Sequence, residues 1–385
     1  MKQCRIKNQD PIEQLKVRNL WHRCFHDTEE YMNFYFTWKT KDNTVYGIYD
    51  QEQLVSMIHL NPYRLSVRGN EVNSYYIVGV ATDENYRKRG LMRQLLGSSL
   101  EKMYEENITF SYLMPASEAI YLPFDFRIIT KQKRMSIPVA SIEQKEEIVS
   151  AASLKDQKGQ MTFLTKEDDL LLSKLVDYAN QTLRDQDVYT IRDLSYYKRM
   201  LAELETFDGK LLVHQKDHQI VGYMAFGVEE GKIEVIEFLG EKEAMTDYVE
   251  EYVLSWTKKN KYEYPIVEPT QTPTIMARIV NLKQFFPLVK AKGDTTIVFQ
   301  VKDPILSYNN GIYLVEWKNG DCNVTKCDEN EYHEVDIVCD ISDLTQFMFG
   351  KGQINSHGFQ LQSSQAEDKL AMLDLLEQVH LNEIV

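Results

Sequence analysis

The order of apolar patterns predicts an α/β chain with mixed sheets that closes on an α+β unit. Three observations carry this. Residues 11–38 read as two helices, and a meander of strand-like runs over 44–82 follows them into a basic glycine-containing loop and another helix. Residues 210–259 repeat the meander-plus-helix order. From 295 onward, short strands come first and helices last, as in a small separate layer. With 385 residues the chain is long enough for two or three domains.

The first helix, 11–26, places Leu15, Val17, Leu20, Trp21 and Cys24 broadly on one side. Thr28 suits the cap of a second helix, 29–38, rich in Tyr, Phe and Trp. His22 and His26 lie four apart, as helical metal ligands do. No acidic base stands between them and no third ligand is evident, so they read as surface or packing histidines. Runs at 44–49 and 53–60 flank Asp50, Gln51 and Glu52, a hairpin signal. A run at 63–67 turns at Arg68, Gly69 and Asn70 into the central strand, 72–82. A strand at 108–114 and one extended run at 126–137 complete the first sheet.

Residues 141–160 are polar and lack a period, which marks a linker or an exposed excursion. Helices at 166–180 and 193–205 follow. Runs at 211–213 and 220–226 form a hairpin around Lys216, Asp217 and His218, then come a strand at 233–239 and a helix at 241–259. His214 and His218, at this hairpin, carry little sign of a metal site. Gly240, Glu241, Lys242 and Glu243 stand where the first unit has its basic loop, and an acidic loop repels phosphate. Strands at 295–301, 311–317, 321–326 and 334–339 then precede helices at 341–349 and 365–379.

No apolar run reaches the length of a membrane span, and the first residues carry no apolar signal-peptide core, so a cytoplasmic protein is expected. Cysteines 4, 24, 322, 327 and 339 are scattered and form no C-x-x-C, which argues against a disulfide framework and a structural zinc site. A net charge of −14 argues against nucleic acid. It suits a cationic small molecule focused into a cleft, although solubility alone also explains it.

The most informative stretch is 74–93, SYYIVGVATDENYRKRGLMR. Its run at 75–82 suits a buried strand, and 83–86 is a polar break. Arg87, Lys88, Arg89, Gly90, Leu91 and Met92 come next, and Leu91, Leu95, Leu96, Leu100 and Met103 share one helical face. A strand, a basic loop and a helix N-terminus suit an anionic phosphate: the first helical N–H groups lack partners, and the dipole favours negative charge there. Gly90 lets backbone approach the anion, and Arg93 adds a fourth positive charge. On charge alone, a solvated loop before a surface helix explains the run as well.

This run resembles the R/Q-x-x-G-x-G/A pyrophosphate loop of the GNAT N-acetyltransferases, with Arg87, Gly90 and Met92 at the fixed positions and Met92 in place of Gly or Ala. The strand-like 109–114, then Pro115, Ala116, Ser117 and Tyr121, then Phe124, Asp125 and Phe126 resemble that family's Y-x-x-F-G-F segment, with Asp125 in place of Gly. Together these runs resemble the Eis-type (enhanced intracellular survival) enzymes. The stretch 276–282 resembles their R-i-V-D-v signature, with Asn281 where Asp is usual. The resemblance spans essentially the whole chain and is strongest over 75–127. It implies a catalytic GNAT domain at 1–140, a degenerate second GNAT-like domain at 141–290, and a sterol-carrier-protein-like domain at 291–385. It also implies a hexamer, with aminoglycosides as substrates. No run marks a lipid pocket in the last domain, so a scaffold role is expected there.

The resemblance assigns acetyl-CoA as cosubstrate, with no metal. Arg87, Lys88, Arg89, Gly90, Leu91, Met92 and Arg93 would hold its pyrophosphate. The backbone of Val80, Ala81 and Thr82 would pair with the pantetheine arm, and one N–H there could meet developing negative charge. Ala116 and Ser117 would line the other side. Tyr121 would donate a proton to the leaving thiolate; the alternative is a core tyrosine. Leu381, Asn382, Glu383, Ile384 and Val385 end the sequence on apolar side chains, which suggests a packed terminus. In the resembled family the terminal carboxylate, here on Val385, is the base. An α-carboxylate pKa of about 3.3–3.7 is far below the roughly 10 of an alkylammonium, so it would act through water and position the ammonium. No cysteine is near these motifs in sequence and no Ser/His/Asp set stands out, so direct attack in a ternary complex is expected. The leading expectation is N-acetylation of a cationic amine, aminoglycoside-like or polyamine. A non-catalytic CoA- or lipid-binding module and a protein-lysine acetyltransferase are the alternatives.

Overall fold

The computed structural model describes residues 1–7, 10–132, 135–138, 159–229, 232–240, 245–250, 252, 274–327, 334–354 and 356–383. Asp10 accepts from the backbone N–H groups of Ile12 and Glu13 and starts α1 (Pro11–Phe25), with proline in the first turn. Val17, Leu20 and Trp21 are buried. Leu15, expected on the same face, is 58% exposed. It is two residues from Val17, about 200° around a helix, so both cannot face the sheet. Thr28 accepts from the Tyr31 N–H and starts α2 (Glu29–Trp38) as expected.

Among the described residues the first sheet has nine strands. In spatial order these are β1 (Lys2–Ile6), β2 (Thr44–Asp50), β3 (Gln53–Val67), β4 (Asn70–Thr82), β5 (Phe110–Leu113), strand Thr274–Ile279 and β6 (Arg127–Lys131). Strand Val188–Thr190 pairs with β3, and strand Val379–His380 pairs with Val188–Thr190 in turn. The two runs at 53–60 and 63–67 are therefore one strand. Pro62 is tolerated because β2 stops at the Thr44–Leu60 pair and strand Val188–Thr190 begins only at Leu65, so no donor is wanted between them. The central strand is paired antiparallel with β3 and in parallel with β5.

The single extended run expected at 126–137 is divided. β6 stays in the first sheet, while Met135–Pro138 pairs with Lys232–Gly240 in a second one. That antiparallel sheet runs Met135–Pro138, Lys232–Gly240, Gln219–Glu229, Lys210–Lys216, Gln160–Leu164. Helices Asp169–Leu183 and Leu194–Leu204 close one face through Leu172, Leu175, Tyr197 and Leu201. Of the expected helix 241–259, residues 245–250 and 252 are helical and the remainder lies outside the described residues. The expected excursion over 141–160 lies outside them up to 158, and Gln160 already opens the strand Gln160–Leu164.

The last sheet runs Asp321–Cys327, Gly311–Lys318, Thr295–Lys302, Ile337–Asp340, Phe359–Leu361, with the Thr295–Lys302 and Ile337–Asp340 pair parallel. Helix Ile341–Met348 forms as expected. The helix expected at 365–379 is only Ala366–Ala371, because Leu373 next pairs with Ala291 and Val379 with Val188. Among the described residues no helix is long and apolar enough to cross a membrane.

Candidate functional site

α3 (Leu91–Glu105) buries Leu91, Leu95, Leu96, Leu100 and Met103 over β3 and β4, as its spacing predicts. This fixes the helix N-terminus at the end of the central strand. β4 and β5 share one ladder pair, Tyr76 with Tyr112. Ser74 donates to the Phe110 carbonyl at 2.8 Å and Ser111 to the Tyr75 carbonyl at 2.8 Å. Among the described residues no ladder pair joins the two strands beyond that point. Ala81 and Thr82 pair with Met57 and Ser56 of β3 on one side, so the opposite edge of 80–82 is open.

The register of β3 against β4 shifts between Met57 and His59, a bulge. Gly79 lies there at φ +58, and a Cβ on it would sit 2.5 Å from the Trp21 ring. Only glycine fits this bend, and the bend re-aims 80–82.

Asp83 accepts from the Asn85 N–H and starts the turn Glu84–Tyr86, and Arg23 contacts the Asp83 carboxylate at 3.1 Å. Gly90, at φ +76, precedes α3, and no side chain caps the helix. Among the described residues nothing lies within 4 Å of where a Cβ of Gly90 would be. Arg87, Lys88, Arg89 and Arg93 are exposed. Arg87 donates to the Thr82 carbonyl at 3.3 Å, Arg89 stacks 4.8 Å from the Tyr86 ring centre, and Arg93 lies 5.1 Å from that of Phe124. Met92 packs its side chain against the apolar cluster that holds Leu91 and Tyr121, which leaves the outer face of the loop clear.

α4 (Glu118–Tyr121) starts just after Ala116 and Ser117, both exposed. Tyr121 is 9% exposed and sits edge-on to Phe126. Burial pushes its phenol up to about 12. Among the described residues its hydroxyl has no hydrogen-bond partner. Asp125 takes the left-handed conformation, φ +63, that glycine would supply, and Asp is one of the few other residues that enters it. Val80, Leu91, Met92, Tyr121 and Phe124 all belong to one apolar cluster, so strand, loop and turn meet there. Cys24, remote in sequence, does reach this region: its Sγ lies 3.8 Å from the Thr82 carbonyl. Burial raises the thiol pKa, which keeps it protonated and a poor nucleophile.

Val385 lies outside the described residues. The tail before it is buried: Gln132 donates to the carbonyls of Leu381 at 3.3 Å and Glu383 at 3.1 Å. Glu383 accepts from Arg192 at 3.1 Å, while Arg192 also meets Glu237, which contacts His380 at 2.8 Å. Leu381 and Glu383 were expected in a packed tail, but Gln132, Arg192, Glu237 and His380 were not singled out from the sequence. The available signal was Glu237 inside the apolar run 233–239.

A cavity of about 480 Å³ opens at the stretch of β3 that neither β2 nor Val188–Thr190 covers. Asp42, Glu106, Asp193, Glu203 and Glu383 line it against Lys39, Arg64 and Arg199. It reaches Ser74 and Tyr75, next to the last β4–β5 pair, but none of 80–82, 87–93, 116–117 or Tyr121 lines it. Glu383 Oε2 is buried and without a hydrogen-bond partner among the described residues.

Residues 5–129 match the Acetyltransferase (GNAT) domain, and residues 282–378 match the Sterol carrier protein domain. No curated protein matches the sequence. Among solved structures, a conserved protein of unknown function from Enterococcus faecalis V583, described as a probable N-acyltransferase, superposes with a TM-score of 0.75 at 18% identity, over 97% of this chain and 98% of its own. A GCN5-related N-acetyltransferase from Anabaena variabilis ATCC 29413 gives 0.74 at 15% identity, over 100% of both chains. Eis1 from Mycobacterium abscessus gives 0.65 at 13%, also over 100% of both. At these identities the likeness is one of fold. The chain therefore carries a GNAT acetyltransferase domain followed by a sterol carrier protein domain, the domain content of an N-acetyltransferase.

Proposed function

We propose that this protein is an Eis-like N-acetyltransferase that moves an acetyl group from acetyl-CoA directly to an amine of a cationic acceptor. The carrying observation is the parting of β4 from β5 after Tyr76 and Tyr112, beside the uncapped N-terminus of α3. The open edge of 80–82 then takes the pantetheine amides. Arg87, Lys88, Arg89 and Arg93, with the free N–H groups at Gly90, Leu91 and Met92, take the pyrophosphate. Ala116 and Ser117 line the far side of the arm. The thioester supplies an acyl group already activated towards an amine.

The acidic cavity that adjoins the point of parting is the route for the amine, and the free oxygen of Glu383 offers an ammonium a buried partner. The carboxylate of Val385 acts through water and positions the ammonium. Tyr121, kept protonated by burial, donates to the departing sulfur. The division into units at 1–140, 141–290 and 291–385, and a hexameric assembly, belong to the same reading; a monomeric mass in sedimentation counts against the hexamer.

The test is thiol release from acetyl-CoA with aminoglycosides, polyamines and lysine peptides, for wild type and Tyr121→Phe. Amine-dependent release that falls by about 10²–10⁴ in the variant supports acid and acceptor together. Tight acetyl-CoA binding with no release for any amine sinks the reading. Because the phenol titrates so high, the wild-type rate shows no alkaline fall up to the ordinary tyrosine pKa of about 10. A fall below pH 9 that disappears in Tyr121→Phe removes Tyr121 as a protonated donor.

A further inference from the structure

Arg278 is buried completely in strand Thr274–Ile279, which is wedged between β5 and β6. Its guanidinium makes three directed contacts. Nε donates to the Phe124 carbonyl at 3.0 Å, Nη1 to the Ile279 carbonyl at 2.9 Å, and Nη2 to Asp303 Oδ1 at 2.6 Å. Phe124 lies three residues after Tyr121, in one compact turn. The Asp125 N–H donates to the Leu122 carbonyl at 3.1 Å, and the Phe126 N–H to the Tyr121 carbonyl at 3.4 Å. Arg278 thus grips the turn that carries Tyr121.

Asp303 belongs to the sterol carrier protein domain and is itself held rigidly. Its Oδ1 also accepts from the Ile305 N–H at 3.0 Å and the Leu306 N–H at 2.8 Å, and its Oδ2 accepts from Asn309 at 2.9 Å. A second carboxylate competes for the same nitrogen. Asp125 Oδ2 is buried, lies 3.8 Å from Arg278 Nη2, and has no hydrogen-bond partner among the described residues. A buried guanidinium whose main partner loses its charge turns to the next one. Moving Nη2 towards Asp125 drags Nε off the Phe124 carbonyl, and the turn loses its anchor.

We propose that Asp303 is a positioning residue for Tyr121, acting through Arg278 and the Phe124 carbonyl. The C-terminal domain is then a working part of the acetyl-transfer site. The inference rests on Tyr121 as the acid. A shift of about 1 Å at a reacting group is enough to cost roughly 10²-fold in rate. The loop at 87–93 meets Phe124 at its ring, 5.1 Å from Arg93, whereas Arg278 holds Phe124 by its carbonyl.

The experiment is a double-mutant cycle on thiol release from acetyl-CoA, with spermine as acceptor and with water alone. The four proteins are wild type, Asp303→Asn, Tyr121→Phe and the double variant, with thermal unfolding checked for each. The expected result is a kcat lowered about 10- to 100-fold in Asp303→Asn, with KM for acetyl-CoA within twofold of wild type. In the Tyr121→Phe background, Asp303→Asn has no further effect. If Asp303→Asn fails to fold, Arg278→Lys reads the same link, since lysine keeps the charge but cannot hold two acceptors in a planar fork. Losses that multiply in the double variant, or an unchanged kcat in folded Asp303→Asn, overturn the inference while Tyr121 stands. A Tyr121→Phe variant with wild-type release, or a wild type that releases thiol to neither acceptor, overturns the acid reading and this one with it.

Discussion

The guanidinium of Arg192 meets the carboxylate of Glu237 at 2.5 Å with neither side chain exposed at all. The same guanidinium reaches Glu383 of the tail, so one buried cation ties the second sheet to the last residues. Arg192→Met leaves two buried carboxylates facing each other and is expected to lower stability by about 3–5 kcal/mol. Urea unfolding measures it; a loss under about 1 kcal/mol would show that the carboxylates find other partners.

Arg87→Ala and Arg89→Ala are each expected to raise KM for acetyl-CoA about tenfold and to change kcat little, since both side chains are exposed and their losses are of binding. Gly90→Val adds a left-handed valine at φ +76, which costs about 1–2 kcal/mol, and should raise KM similarly. Steady-state kinetics in acetyl-CoA separates the two constants. A kcat effect with unchanged KM would place the loop elsewhere in the reaction.

Amidating the C-terminus, or adding a few residues after Val385, is expected to slow turnover at least about tenfold without weakening acetyl-CoA binding. Gln132 and Arg192 hold the tail before that point, so an extension changes only what lies beyond Glu383. Turnover equal to wild type in both variants removes Val385 from the mechanism.

His59 sits fully buried between Tyr35, at 3.0 Å, and the Trp21 ring, and burial pushes its pKa down to about 3. The unfolded chain takes up its proton near the ordinary value, so stability is lost as pH falls from there. The expected loss between pH 7 and pH 5 is about 2 kcal/mol. Denaturation midpoints at the two pH values measure it, and His59→Gln should flatten the difference.

The strand, loop and helix over 74–105 were legible because each rests on local signals: an apolar run, a basic break, a helical spacing. Even there, the bulge at Gly79 and the divergence of β4 from β5 were hidden, since both depend on partner strands. Short pairings between distant segments left no pattern. Strands Val188–Thr190 and Val379–His380 are too short to show a period, and the second lay in a stretch whose spacing suggested a helix. The split at 131–135 failed to show for a related reason, because apolar content does not say which sheet a strand joins. Asp125 was visible as an odd residue, but its compensation by Arg278 needed three dimensions. The tail cluster of Arg192, Glu237, His380 and Glu383 gathers residues that no window of sequence contains together.

Strand Thr274–Ile279 fills the place between β5 and β6. On a ribosome, β5 and β6 emerge long before that strand exists, each with a row of unsatisfied backbone groups. Open edges of this kind recruit foreign strands. The first sheet thus waits for residues that follow β6 by more than a hundred positions. Until residues 274–279 enter, the facing edges of β5 and β6 stay open to wrong pairing.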